Sequence, residues 1–127
     1  MGRFGLDRGL VERAKARGFR VRMIYVVLTS AELQLERIRL RVSEGGHDVD
    51  PDKAVSRRHR SFEQLAWFSG QIERGYIFDN STSDPKFLAD MLEGGEILCW
   101  SDLPEDMERT LKQSRTRLRY FWPNDNQ

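Results

Sequence analysis

The chain has 127 residues, 39% of them hydrophobic and 32% charged, with a formal net charge of +1. That is the size of one domain with one core, and its near-neutral charge gives no whole-molecule attraction to nucleic acid or membrane. No apolar run approaches the ~20 residues of a membrane helix, and "MGRFGLDRGL" lacks the hydrophobic core of a secretion signal. Charge is nonetheless uneven: residues 1–63 hold 14 Lys/Arg against 9 Asp/Glu, and the remainder 7 against 11. A basic half marks either an anionic partner or a solvated face. The single cysteine, Cys99 in "EILCW", excludes an internal disulfide and reads as a buried thiol of a cytoplasmic protein.

Asp7 to Arg17 predicts a short helix closed by Gly18. "RVRMIYVVL", Arg20 to Leu28, is a continuous apolar, β-branched run, the pattern of a strand buried on both faces of a parallel sheet. Thr29 and Glu32 then have capping-box spacing, opening a helix with Ala31, Leu35, Ile38 and Val42 on one face and Arg37 and Arg41 on a flank. Gly45-Gly46 ends it. Asp50 followed by Pro51 forms an N-cap and first-turn pair for a helix reaching about Gly70. "YIFDN", Tyr76 to Asn80, predicts a second strand. "STSDPKFLADMLEGG" reads as loop and helix ending at Gly94-Gly95, "EILCW" as a third strand, and Pro104 to about Tyr120 as a polar helix. Residues 121–127 read as a flexible tail. Strands separated by helices predict an α/β fold with about three mainly parallel strands in a single domain, 1–127.

Chemistry concentrates around "EGGHDVDPDKAVSRRHRSFEQL". Arg57, Arg60 and Gln64 share one flank of the long helix, and Arg41 stands one turn before Gly45-Gly46. Guanidinium groups converging from two helices suit a phosphate, because each carries a fork of donors and a permanent charge. Spacing alone favours the plainer account, a solvated basic face paired with Glu63 or Glu44. Arg58 falls inside the apolar arc between Ala54 and Phe62, where a long stem would snorkel to water. His47 and His59 have no companions at ligand spacing, so no metal site is expected. Asp79 ends a predicted strand, where open α/β sheets place ligands, although "DNS" is also ordinary turn chemistry.

Taken in order, "AKARGFRVRMIYVVLTSAEL", "RIRLRVSEGGHDV", "SRRHRSFEQL" and "YIFDNS" resemble successive blocks of the zeta-toxin-like P-loop kinases, over roughly Gly9 to Leu92. That family includes kinases that phosphorylate UDP-N-acetylglucosamine. The resemblance implies the C-terminal, lid-bearing part of an ATP- and Mg²⁺-dependent kinase acting on a hydroxyl acceptor, with a partial three-layer P-loop kinase sheet. It implies lid arginines at Arg41, Arg57 and Arg60 that neutralise the transferring phosphate, and a hinge at Gly45 and Gly46. It also places Asp79, Asn80 and Ser81 beside the nucleotide. Departures are visible. Arg58 and His59 stand where the family has aromatics, and Asp50 stands where it has proline. No G-x-x-x-x-G-K-[ST] occurs, and the catalytic aspartate that follows that loop in the family has no counterpart here. The family's N-terminal half is therefore expected to be missing, leaving the chain inactive alone and the Arg20–Leu28 strand with one unpaired edge. A separate N-terminal half, a second copy, the chain's own C-terminal segment or an antitoxin are the implied partners. A non-catalytic anion- or nucleotide-binding module is the alternative reading. Nucleic-acid binding through "SRRHR" and an Arg115–Arg119 helix fits the near-neutral charge poorly.

Overall fold

The structure, a computed structural model, describes residues 7–47 and 50–121. The order is α1 (Arg8–Ala16), β1 (Arg22–Val27), α2 (Ala31–Ser43), α3 (Pro51–Ser69), β2 (Arg74–Asp79), β3 (Lys86–Met91), β4 (Ile97–Cys99), α4 (Glu105–Gln113) and β5 (Leu118–Tyr120). The strands form one mixed sheet in the order β1-β2-β3-β4-β5. β1 and β2 pair in parallel, as do β4 and β5, while β2–β3 and β3–β4 are antiparallel. The α/β class agrees with the sequence reading, but the sheet is larger and less parallel than predicted.

Local chemistry sets the helix boundaries. Asp7 accepts from the Leu10 amide at 3.3 Å, and Asp50 from the Asp52 amide at 3.1 Å with Pro51 behind it. The α2 cap is one residue later than the capping-box reading. Ser30 Oγ accepts from Leu33 N at 3.1 Å, which leaves Thr29 free for other work.

Two elements correct the sequence reading. "KFLADM" is strand β3, not helix. It sits between β2 and β4, where Leu88, Ala89 and Met91 are buried, and Gly94 and Gly95, at φ 97° and 95°, turn the chain back as a hairpin. The expected polar helix to Tyr120 stops at Gln113, and Leu118–Tyr120 adds an edge strand beside β4. Most of the tail expected at 121–127 lies outside the described residues, as do Asp48 and Val49 of the lid motif.

The strand order rises monotonically across the sheet, and β-α-β crossovers are right-handed. The β1-α2-α3-β2 and β4-α4-β5 crossovers must therefore fall on the same face. That face holds the core: Phe62, Leu65 and Phe68 of α3, Met107 and Leu111 of α4, and Val11 of α1 pack on Met23, Val27, Ile77, Ala89, Met91, Ile97 and Cys99. The other face is bare among the described residues. Ile24 and Val26 are 70% and 56% exposed there, so β1 is not the doubly buried strand its sequence predicts. Beside them, Phe87 packs on Phe78 and Tyr76 at centroid distances of 5.5 and 6.3 Å. No described helix is long and apolar enough to cross a membrane.

Cys99 is fully buried, and burial pushes its thiol up to about 12. It should resist iodoacetamide at pH 8 in the folded chain and react once the chain is unfolded in guanidinium. Mass spectrometry reads this directly, and rapid native alkylation would contradict the packing described.

Candidate functional site

The C-terminal ends of β1 and β2 carry a compact polar clamp. Parallel register sets Val27 beside Asp79, so the next residues of both strands meet beyond the sheet. Thr29 Oγ1 donates to Asp79 Oδ2 at 3.1 Å and lies 2.6 Å from Ser81 Oγ; the Thr29 amide donates to that same Oγ at 2.8 Å. Ser81 donates both its amide, at 2.9 Å, and its hydroxyl to Asp79 Oδ1. The Asn80 amide donates to Val27 O at 2.9 Å. Arg37 crosses from α2 to donate from Nη2 to Ser81 O at 3.0 Å. Asp79 and Ser81 thus spend their polar atoms on one another and on Thr29, which fixes where α2 leaves the sheet. They position the site rather than reach out from it.

An open cleft of about 500 Å³ adjoins this clamp, lined by Val26, Val27, Leu28, Gln34, Arg37, Leu40, Arg41 and Asn80. Its walls are aliphatic along β1, and its charges, Arg37 and Arg41, are both cationic. An anionic group with a flat or apolar body matches that lining. A second open cleft, about 690 Å³, lies at the opposite end of the parallel strands, between Lys15, Phe19, Arg20, Glu73 and Glu93. It is larger, yet its cations and carboxylates oppose one another, with Arg20 Nη1 3.7 Å from Glu73. It offers no consistent charge to a ligand, so the smaller cleft is the better candidate.

Of the residues singled out in the sequence, Arg41 and Asn80 line this cleft, and Asp79 and Ser81 buttress it. Arg57 and Arg60 are exposed on α3, outside its lining. The contacts of α3 show which way they face. Ser61 Oγ lies 2.5 Å from Tyr25 Oη on β1, whereas Arg58 reaches across to α4. Arg57 and Arg60 therefore occupy the flank of α3 turned away from α4, beyond the edge of the sheet. Gly45 and Gly46 close α2 as a left-handed cap: Gly45 has φ 96°, and the Gly46 amide donates to Arg41 O at 2.7 Å. A Cβ on Gly46 would meet that carbonyl oxygen at 2.8 Å, so this turn admits no side chain without moving Arg41.

Arg58 corrects the snorkelling expectation. Its side chain is 3% exposed, and it donates from Nε and Nη2 to both oxygens of Asp106, at 2.6 and 2.9 Å. Nη1 reaches Gln34 at 3.3 Å, and the guanidinium lies 4.9 Å from the Phe62 centroid. These hydrogen bonds hold the Asp106 carboxyl below its usual range. One side chain thus ties α2, α3 and α4 together. Sequence reasoning missed Thr29, Gln34 and Arg37 as parts of the site. Arg37 had a signal, its position four residues before Arg41 on the same flank.

The fold and cleft define an open-sheet α/β chain with a cationic cleft at the C-terminal ends of its parallel strands. No family model matches the chain, and neither does any curated protein or solved structure. Among the described residues no group of His, Cys, Asp and Glu could hold a metal ion.

Proposed function

We propose that this chain is the lid-bearing C-terminal portion of a zeta-toxin-like kinase, which transfers a phosphoryl group from ATP–Mg²⁺ to a hydroxyl acceptor such as a nucleotide sugar. The observation that carries this reading is the unfinished state of the sheet at β1. β1 is an edge strand, the crossover helices α3 and α4 pack on one face, and among the described residues the opposite face leaves Ile24 and Val26 of β1 exposed. A right-handed sheet that continued beyond β1 in the reverse direction would lay its helices on that bare face. β1 would then be the switch point of a doubly wound sheet, and the crevice outside its carboxyl end is where such sheets bind ligands. The Arg37–Arg41–Asn80 cleft stands there.

In this reading the phosphate loop and the catalytic base belong to the portion beyond β1, supplied by a longer chain or a separate one. The lid residues described here add charge. Arg41 enters from α2, and Arg57 and Arg60 swing in as α2 and α3 move about the Gly45-Gly46 turn. Guanidinium groups positioned on a transferring phosphoryl stabilise its transition state without taking part in bond making. ATP–Mg²⁺ supplies the phosphoryl group, and Asp79, Asn80 and Ser81 hold the strand end beside which the nucleotide sits.

Calorimetric titration with ATP–Mg²⁺ separates this reading from its alternative. The isolated chain should show no micromolar binding, because it has no backbone cradle for the β- and γ-phosphates. Micromolar binding abolished by Arg57→Ala would instead make the chain a self-sufficient anion-binding module.

A further inference from the structure

We propose that the chain on its own forms a two-fold dimer in which β1 pairs antiparallel with β1 of a second copy. Such a pairing depends on the sheet edge and the adjoining Leu40, independently of the kinase reading. The two edges of the sheet are built differently. β5 is three residues long, preceded by Arg117 and centred on Arg119, the short, charged form in which edges are normally guarded. β1 is six residues long, and Met23–Val27 contains no charge, proline or bulge. The C-terminal strand lies at the far side of the sheet, so within the described residues it cannot cover β1.

Backbone direction says which groups are free. The Glu73 amide donates to Val21 O and the Asn80 amide to Val27 O, both at 2.9 Å, so the odd-numbered residues of β1 face β2. Arg22, Ile24 and Val26 therefore point their amides and carbonyls outward. Two such edges related by a two-fold axis satisfy each other. Setting Ile24 opposite Val26 of the second copy makes two β-branched cross-strand pairs and seats Tyr25 on the axis. This register also decides the charge question. The cations of the edge, Arg20 and Arg22, lie at one end, within 3.8 Å of Glu73. Antiparallel pairing sends the two clusters to opposite ends of the interface, whereas a parallel pairing of copies would stack them. Leu40, 58% exposed, lines the cleft beside Val26 and widens the apolar strip.

Ile24 and Val26 are exposed, so substitutions there test pairing without disturbing the core. Sedimentation at about 100 µM should give twice the chain mass, a weak-dimer concentration suited to an interface of this small size. Ile24→Lys should return it to a monomer whose melting profile matches that of wild type at about 1 µM, where the dimer is dissociated. A mixture of Ile24→Cys and Val26→Cys chains should form an intermolecular disulfide under mild oxidation, and neither variant alone should. Amides of Ile24 and Val26 should exchange at least about tenfold more slowly at dimer concentration, while that of Tyr25, already bonded to β2, should not change. A monomer at 100 µM, a disulfide from Ile24→Cys alone, or efficient cross-linking through Phe87→Cys on the bare face would overturn the pairing.

Discussion

Arg58→Ala should destabilise the fold by roughly 2–3 kcal/mol, which for a chain of this size lowers the melting temperature by about 10 °C. The guanidinium is almost fully enclosed, with a bidentate carboxylate, the Gln34 amide and the Phe62 ring around it, while Asp106 is 38% exposed. Removing the arginine leaves a cavity and a carboxylate that keeps only the Met107 amide and that water can partly reach, so the cost falls below that of breaking a fully buried pair. Arg58→Met, which keeps volume but not charge, should recover part of the loss.

The pH dependence follows from Asp106. Its folded pKa is depressed, so the ion pair contributes fully above the unfolded carboxyl value, about 3.9, and is lost as pH falls through the folded value. The stability gap between wild type and Arg58→Ala should therefore stay constant from pH 8 to about 5 and narrow towards pH 2. Denaturant melts at a series of pH values measure it. A gap that holds or widens in acid would contradict the assignment of the stabilisation to this pair.

Under the proposed kinase function, Arg41→Ala and Arg57→Ala in a protein that includes a phosphate-loop portion should each lower kcat by about 100-fold, with KM for ATP rising far less. That split is what a group acting on the transferring phosphoryl produces; a KM change alone would mark a ground-state contact. Arg60→Ala should follow the same pattern, whereas Arg119→Ala on β5, 3.3 Å from Glu96, should leave kcat unchanged. Lysine at position 57 should restore only part of the rate, because it keeps the charge and loses the forked donors.

Much of the fold was legible where local chemistry and tertiary environment agree. Asp50-Pro51 starts α3 and Gly18 ends α1 as their sequence predicts, and "RMIYVV" is a strand. "KFLADMLEGG" misled because Phe87, Leu88, Met91 and Leu92 recur at helical spacing among good helix formers. Pairing with β2 on one side and β4 on the other outweighs that propensity. The Gly-Gly between two apolar runs was the hairpin signal. Arg117, Leu118, Arg119 and Tyr120 alternate as a strand should, but three residues fall below any useful window. In the site, Arg41 and the "DNS" end of β2 could be found, since both follow from position in an element. The Thr29–Asp79–Ser81 clamp could not, because it needs the register of two parallel strands separated by two helices. The odd angle of Arg58 was visible, but its partner lies 48 residues away.

The proposed function has Arg41, Arg57 and Arg60 act together on phosphate, and the arginine Nε–Hε resonances of the isolated chain test it directly during titration with millimolar ATP–Mg²⁺. Even without the cradle, weak binding should shift Arg41, Arg57 and Arg60 together with the Asn80 side-chain amide, leave Arg115, Arg117 and Arg119 in place, and lose the concerted shift in Arg57→Ala. Shifts absent at 10 mM, about the limit of a meaningful weak site, or spread evenly over every exposed arginine, would contradict it.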